Sequence, residues 1–200
     1  MQLALPQLDA HLQRTLRSLY TLHGDEPLLV QEAADSIRAA ARAQGFAERT
    51  VHTVQGAHFD WSEVLAAGGS LSLFADKQIV EVRIPSGKPG KEGSPAIQQL
   101  AESAQGNDST LTLFMLPRLD AMTRKGAWFG ALDNMGVTIP VETIERQALP
   151  TWIAQRLQRG VDHIHVGLTI VDALIDETVG VHLPLLLRES LRLPPASPQA

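Results

Sequence analysis

The sequence predicts an α/β fold built on a mainly parallel β-sheet. The first observation is that short apolar strands alternate with amphipathic helices as far as about residue 142, which is typical of β-α-β units. The second is that residues 111–116 (LTLFML) are almost all apolar, as a strand covered on both faces requires. The third is that 44% of the residues are hydrophobic, which is the composition of a globular domain and not of a disordered chain.

Composition excludes several classes of protein. The chain has 200 residues and no cysteine, so disulfides, thiolate zinc sites and cysteine nucleophiles are ruled out. The net charge of −5 argues against a protein that works mainly by coating phosphates. No apolar run reaches the ~20 residues of a membrane span. Asp9 and Arg14 interrupt the N-terminal apolar stretch, which excludes a signal peptide. We therefore expect a cytoplasmic protein with no membrane partner.

The first elements follow from the spacing of apolar residues. Leucines three or four residues apart form one helical stripe over residues 5–19. Residues 19–22 predict a short buried strand. Asp25 is expected to cap the next helix, which Gly45 can end. Alternating valines predict a weak strand at residues 50–55.

The middle of the chain continues the alternation. Asp60 and Glu63 are spaced as in a capping box and predict a short helix over residues 61–67. Residues 77–84 are rich in β-branched side chains and predict a strand. Residues 85–95 (PSGKPGKEGSP) have the composition of a flexible surface loop.

The remaining elements complete one domain and open a second. Residues 96–104 and 121–135 are predicted helices, and residues 137–141 form a predicted short strand after the apolar strand described above. The domain boundary is placed at residues 142–144. Beyond it the pattern turns helical and ends in the Pro-rich tail LPPASPQA.

The residue types in the sequence do not support a catalytic, cofactor or metal site. The first strand-to-helix turn, residues 23–28, has one glycine, no lysine and two carboxylates, which would repel phosphate. The strands at residues 79–84 and 111–116 do not end in the acidic pair that magnesium and a reacting water need. His163 and His165 lack an obvious third zinc ligand. We therefore expect no catalytic residue, no cofactor and no metal.

The segment 68–78 (GGSLSLFADKQ) stands out because an apolar cluster follows a glycine break. Leu71, Leu73 and Phe74 form this cluster. It can be a buried connection between a helix and a strand. It can also be an exposed hydrophobic plug that docks in a pocket of a partner. The residues alone leave both interpretations open.

Four matches in the same order give the chain a resemblance to a known family. Residues 19–32 (LYTLHGDEPLLVQE) resemble that family's opening motif, and residues 72–78 (SLFADKQ) a second motif. Residues 127–129 (AWF) lie in the helix after the fourth strand, and residues 149–156 (LPTWIAQR) resemble the start of the family's second domain. Together these motifs make the sequence similar to the delta subunit of the bacterial DNA polymerase III clamp loader.

The resemblance implies a fold and a domain organisation. It implies a P-loop-NTPase-like (AAA+) α/β domain over residues 1–142 that has lost its ATP site. A partial helical lid domain with a Pro-rich tail is expected over residues 143–200. Pro184 is expected to interrupt the family's next helix, and the family's C-terminal collar domain is expected to be absent. The chain is accordingly expected to be a fragment, a natural truncation or a frame-shifted product.

The resemblance also implies a function without intrinsic catalysis. The family's delta subunit belongs to the DNA-directed DNA polymerase III holoenzyme, binds the ring-shaped sliding clamp and opens one of its interfaces. The clamp-binding residues that match here are Leu73 and Phe74, with Ser70 and Leu71 beside them. The implied partners are the sliding clamp, the other clamp-loader subunits and, indirectly, DNA. Two alternatives remain open, an ATPase of the same fold and a generic α/β adaptor with no clamp role.

Overall fold

The structure is a computed structural model of the whole chain. It describes residues 1–56, 59–69, 77–144, 146, 149, 150, 152 and 153. The chain divides into two compact units, Met1–Thr143 and Ile144–Ala200. The first unit carries the sheet. Most of the second unit, including residues 154–200 with the Pro-rich tail, lies outside the described residues.

Within the described residues the first unit contains five strands, six α-helices and a short 3-10 helix. The strands are β1 (Leu19–Gly24), β2 (Glu48–Thr53), β3 (Gln78–Arg83), β4 (Thr110–Leu116) and β5 (Val137–Val141). The helices are α1 (Leu8–Arg14), α2 (Pro27–Ala43), α3 (Trp61–Gly69), α4 (Gly90–Ser103), α5 (Ala121–Arg124) and α6 (Ala127–Met135), with the 3-10 helix at Leu5–Gln7.

All neighbouring strands pair in parallel, in the order β2-β3-β4-β1-β5. Strand β4, at the centre, and its neighbours β3 and β1 are buried along almost their whole length. The backbone at Gln2 and Leu3 pairs with Thr138 and extends the β5 side of the sheet. The predicted fold class, a parallel α/β sheet with flanking helices, is confirmed.

Helices cover both faces of the sheet, as the alternation along β3 shows. Val80 and Val82 point into the main hydrophobic cluster, which they form with residues of α3, α4 and α6. Glu81, between them, points to the opposite face and reaches Arg38 of α2. A strand buried on both faces is usually a continuous apolar run, and the charged residue in its middle is the exception that needs an explanation.

The N-terminal part of the chain departs from two predictions. The helix expected over residues 5–19 ends at Arg14, and the chain then turns into β1. The Arg17 N–H donates to the Tyr20 hydroxyl at 3.0 Å, which fixes the turn between helix and strand. Strand β2 begins two residues earlier than the expected 50–55.

The expected loop over residues 85–95 is wrong for its second half, because α4 already begins at Gly90 and passes through Pro95. The glycines of this segment suggest a loop, but Gly93 lies inside α4. A Cβ at Gly93 would lie 2.7 Å from ring carbons of Trp61, so this glycine allows close packing against Trp61.

The single helix expected over residues 121–135 is also wrong. It is interrupted at Lys125 and Gly126, which separate α5 from α6. Asp120 caps the first piece by accepting from the Thr123 N–H at 2.7 Å.

One predicted helix cap is present and one is not. The Asp60 carboxylate accepts from the Ser62 N–H at 2.9 Å at the start of α3, so Asp60 caps this helix as expected. Helix α2 instead begins after Glu26, with no side-chain cap from a described residue. The Asp25 carboxylate accepts from the Arg118 N–H at 3.1 Å, so Asp25 ties β1 to the residues after β4 and does not cap α2.

Candidate clamp-binding segment and the nucleotide edge of the sheet

The sequence-predicted clamp-binding residues lie between α3 and β3. Ser70, Leu71, Leu73 and Phe74 fall within residues 70–76, which are outside the described residues. The described chain stops at the end of α3 and resumes at Lys77, just before β3. Because the strands are parallel, this connection enters the sheet at the amino ends of the strands, opposite the edge where α/β folds bind nucleotides.

The two ends of this connection are joined by a side-chain hydrogen bond. The Gln78 side-chain amide donates from Nε2 to the carbonyl oxygen of Ala67 at 2.7 Å. Gln78 is buried, and its own backbone N–H donates to the carbonyl oxygen of Ser109 at 2.9 Å. Gly68 is buried too, and a Cβ there would lie 2.7 Å from Cδ2 of Leu100. We call the set Ala67, Gly68 and Gln78 the neck.

Lys77 anchors the same end to the opposite layer. Its Nζ donates to the carbonyl oxygen of Gln44 at 3.2 Å and lies 5.3 Å from the centre of the Phe46 ring. A cation at this distance from an aromatic face is attracted by the ring quadrupole. The start of β3 is therefore held from both sides of the sheet.

At the opposite edge the residues do not suit a nucleotide phosphate. A Cβ at Gly24 would overlap the carbonyl oxygen of Val141, so this glycine lets β1 and β5 approach each other. Helix α2 begins with Pro27, which has no N–H to offer a phosphate, and Glu26 precedes it.

A cavity of about 390 Å³ lies beside this edge. Its lining includes Pro27, Val30, Met115 and Pro117, and Arg83 supplies its one cation among the described residues. In the described part of the chain, neither a lysine nor a Ser or Thr hydroxyl lines it. The groups that hold triphosphate and magnesium in a phosphate loop are therefore missing from this lining.

A buried carboxylate joins three arginines on the α2 face. Glu81 is 0% exposed, and its carboxylate accepts from Arg38 Nη1 at 2.8 Å, Arg49 Nη2 at 2.9 Å and Arg83 Nε at 2.7 Å. Burial by itself raises the pKa of Glu81. The hydrogen bonds from Arg83 and Arg49 and the charge of Arg38 outweigh it and hold the pKa below its usual value.

The three arginines differ in exposure. Arg38 is 3% exposed and also bonds Asp35, whereas the side chains of Arg49 and Arg83 are 36% and 39% exposed. Every member of the cluster has a partner, so it is a structural connection between α2, β2 and β3. Sequence analysis missed it, although a glutamate between two valines of a buried strand was its signal.

The pKa values of two buried histidines are also lowered. Burial chiefly lowers the pKa of His11, whose Nε2 lies 3.1 Å from the Tyr20 hydroxyl, and the charges of Arg14 and Arg17 add to this. Burial also lowers the pKa of His23, which packs edge-on against Phe129. The fold therefore favours the neutral form of both rings.

Neither a metal-binding group nor a membrane-spanning helix is present in the described part of the chain. There, no three His, Asp or Glu side chains are grouped so that they could hold a metal ion. No helix among these residues has the length and apolar character needed to cross a bilayer. His163 and His165 lie outside the described residues.

Comparison with known proteins gives one consistent family. The family model described as DNA polymerase III, delta subunit, matches residues 20–142. The chain is 33% identical over 155 residues to DNA polymerase III subunit delta of Escherichia coli K12, covering 76% of this chain and 44% of that protein. It is 28% identical over 153 residues to the subunit of the same name from Haemophilus influenzae, covering 75% and 43%.

A solved structure agrees with this at the level of the fold. The Bacillus subtilis DNA clamp loader delta protein superimposes with a TM-score of 0.58 at 16% identity, covering 74% of this chain and 45% of that one. The chain therefore spans less than half the length of these relatives.

Proposed function

The chain belongs to the DNA polymerase III delta-subunit family, and from this premise we propose that it binds the sliding clamp and opens one interface of the ring. The observation that carries the proposal is the family match, which spans β1 to β5 and includes the connection between α3 and β3. We assign residues 1–142 to an AAA+-like clamp-binding domain and residues 143–200 to part of a lid domain. The cytoplasm is the proposed site of action.

Leu73 and Phe74 are the proposed anchors, flanked by Ser70 and Leu71. The family motif SLFADKQ supports this assignment, as does the position of residues 70–76 in the chain, between α3 and the amino end of β3. Burying one leucine or one phenylalanine contributes roughly 1.5–3 kcal/mol. Two such anchors would account for most of the affinity of a small hydrophobic contact, as is usual for interface hot spots.

The proposed mechanism needs no ATP site in this chain. The Gly24–Val141 contact, Pro27 and the two carboxylates Asp25 and Glu26 all disfavour a phosphate at the carboxyl edge. This disfavours the alternative of an ATPase with the same fold. ATP-dependent steps would then belong to other subunits of the loader, which are proposed partners together with DNA bound indirectly.

Ring opening follows from differential binding. A ligand shifts an equilibrium between closed and open rings only by its difference in affinity for the two forms. A closed protomer interface is large, and the burial of two side chains supplies too little free energy to pull it apart unaided. We therefore infer that the closed ring is strained and that contact on one face releases the strain.

A pull-down of the sliding clamp tests the proposal. The variant is Leu73→Ala with Phe74→Ala. The matched control is Val51→Ala with Met122→Ala, which truncates two exposed apolar side chains elsewhere. We expect wild type and control to capture the clamp equally and the double variant to lose most of the captured clamp. Equal capture by the double variant would favour the generic adaptor alternative.

A second measurement separates opening from binding. Two fluorophores placed on either side of one clamp interface report its separation when the chain is added. We expect the signal to change with wild type at saturating concentration. Binding without any change of the signal would support a clamp-binding protein that does not open the ring.

A further inference from the structure

The neck joins the two ends of the connection that carries the proposed anchors. Gln78 is the first residue of β3, and Ala67 lies in the last turn of α3, which ends at Gly69. The hydrogen bond between the Gln78 amide and the Ala67 carbonyl oxygen is 2.7 Å long and part-buried. It therefore sets the distance between the end of α3 and the start of β3.

We propose that Gln78 is a positioning residue for clamp binding, because its side chain holds the end of α3 against the start of β3. This inference rests on the proposed function. It goes beyond it by assigning a role to a residue that does not contact the clamp in the proposal. The Gln78 side chain acts as a tether between the two ends of the connection. Fixing both ends of a segment reduces the conformational entropy that the segment loses when it binds.

Two contacts hold the helix end of the tether. The last carbonyls of a helix have no partner within the helix, and the Gln78 amide satisfies the one at Ala67. Gly68 lets the side chain of Leu100 pack directly against the helix end. The end of α3 is thus fixed both by a polar bond and by close packing.

The strand end of the tether is held by separate contacts. Lys77, next to Gln78, is bound by the Gln44 carbonyl oxygen and the Phe46 ring on the far side of the sheet. The backbone N–H of Gln78 donates to Ser109. These contacts fix the start of β3, and the Gln78 side chain links it to the end of α3.

The chain offers a matched control for this bond. The Gln105 amide donates from Nε2 to the carbonyl oxygen of Met135, also at 2.7 Å, in a part of the first unit that is distant in sequence from the neck. Gln78→Met and Gln105→Met each replace a side-chain amide with an apolar chain of similar length. Both variants lose an amide-to-carbonyl hydrogen bond, and only the first loses it at the neck. Because the Gln105 bond is exposed and the Gln78 bond is part-buried, the affinities are compared per folded molecule, with the folded fraction taken from thermal unfolding.

The experiment titrates the sliding clamp with the full chain and its variants, with folding checked by thermal unfolding. We expect Gln78→Met to weaken clamp binding about 3- to 10-fold, the effect of one net hydrogen bond. Gln105→Met should bind as wild type does. Equal affinity of Gln78→Met and Gln105→Met would overturn the inference.

A pH profile, with thermal unfolding measured at each pH, tests whether clamp binding requires a hydrogen-bond donor at position 78 in the folded chain. In Gln78→Glu an ionised carboxylate faces the Ala67 carbonyl, whereas a protonated carboxyl can donate to it. Burial raises the pKa of a carboxyl group, so we expect the affinity of this variant relative to wild type to recover as pH falls from about 8 to about 5.5. Gln78→Met cannot recover. If Gln78→Met does not fold, Gln78→Glu still provides a test, because it retains a hydrogen-bond donor at low pH. An affinity of Gln78→Glu relative to wild type that does not change with pH would contradict the inference.

The Leu73→Ala and Phe74→Ala variant in the same titration separates the two proposals. If it binds like wild type, the proposed function fails. If it loses affinity while Gln78→Met does not, the proposed function stands and only the role of Gln78 fails.

Discussion

The carboxylate of Glu81 offers a sharp test of how the sheet is joined to α2. We predict that Glu81→Gln strongly destabilises the first unit. The substitution keeps the size of the side chain and one acceptor oxygen but removes the charge. It leaves Arg38, a guanidinium that is 3% exposed, with Asp35 as its remaining anionic partner among the contacts described above.

The magnitude follows from the exposure of the three arginines. Removing one partner of a buried ion pair costs about 3–5 kcal/mol, because the other charge stays buried. This figure applies to Arg38 and Glu81. Arg49 and Arg83 are at least one third exposed, so water screens their charges and each contributes about 0–1 kcal/mol. We therefore expect a loss near the lower end of the buried-pair range.

Urea unfolding at neutral pH measures the effect. Arg49→Gln is the matched control, since it also removes one charge and one partner of Glu81. We expect it to cost about 1 kcal/mol or less. The double variant Arg38→Met with Glu81→Leu should recover much of the loss, because the buried ion pair is removed as a whole. A Glu81→Gln protein as stable as Arg49→Gln would refute the reasoning.

Acid unfolding gives an independent check with a definite sign. The folded-state pKa of Glu81 lies below its unfolded value, so the carboxylate stabilises the fold fully above the unfolded pKa. This contribution is lost as pH falls through the folded pKa. Wild type should therefore lose stability more steeply in acid than Glu81→Gln does, and parallel acid curves would contradict the assignment.

Three further predictions follow from single contacts. Gly24→Ala should lower the free energy of unfolding by more than about 2 kcal/mol, because its Cβ would overlap the Val141 carbonyl oxygen; thermal unfolding no different from wild type would contradict this. Tyr20→Phe should cost about 1–3 kcal/mol in urea unfolding, because the Arg17 N–H and His11 lose a buried partner, and an unchanged midpoint would argue against it. Calorimetric titration with ATP and magnesium should give no binding heat, whereas saturable heat would revive the ATPase alternative.

Much of the fold can be predicted because burial on two faces leaves a strong pattern. The apolar run 111–116 marks β4, and the prediction for residues 137–141 matches β5 at both ends. One of the errors falls where a glycine serves packing. Gly93 lies against Trp61 inside α4, and its sequence context alone is that of a loop. Local composition does not record which neighbour a residue packs against.

The site is only partly predictable, for a related reason. A phosphate loop requires particular residue types at neighbouring positions. The sequence alone therefore predicts that the first strand-to-helix turn does not form one. The neck depends on Gln78 meeting Ala67, and the ion cluster on Glu81 meeting Arg38, and in both cases the partners come from separate elements. Because Asp25 lies just before α2 in the sequence, it is predicted to cap that helix. Its partner in the structure is the Arg118 N–H, which is distant in sequence.

We propose above all that Leu73 and Phe74 anchor this chain on the sliding clamp. Calorimetric titration of the clamp with the full chain measures it most directly. Truncating both anchors to alanine should raise the dissociation constant by about 100-fold or more, from the lost burial of two large apolar side chains. A dissociation constant that stays within about two-fold of wild type, with the fold intact, would contradict the claim.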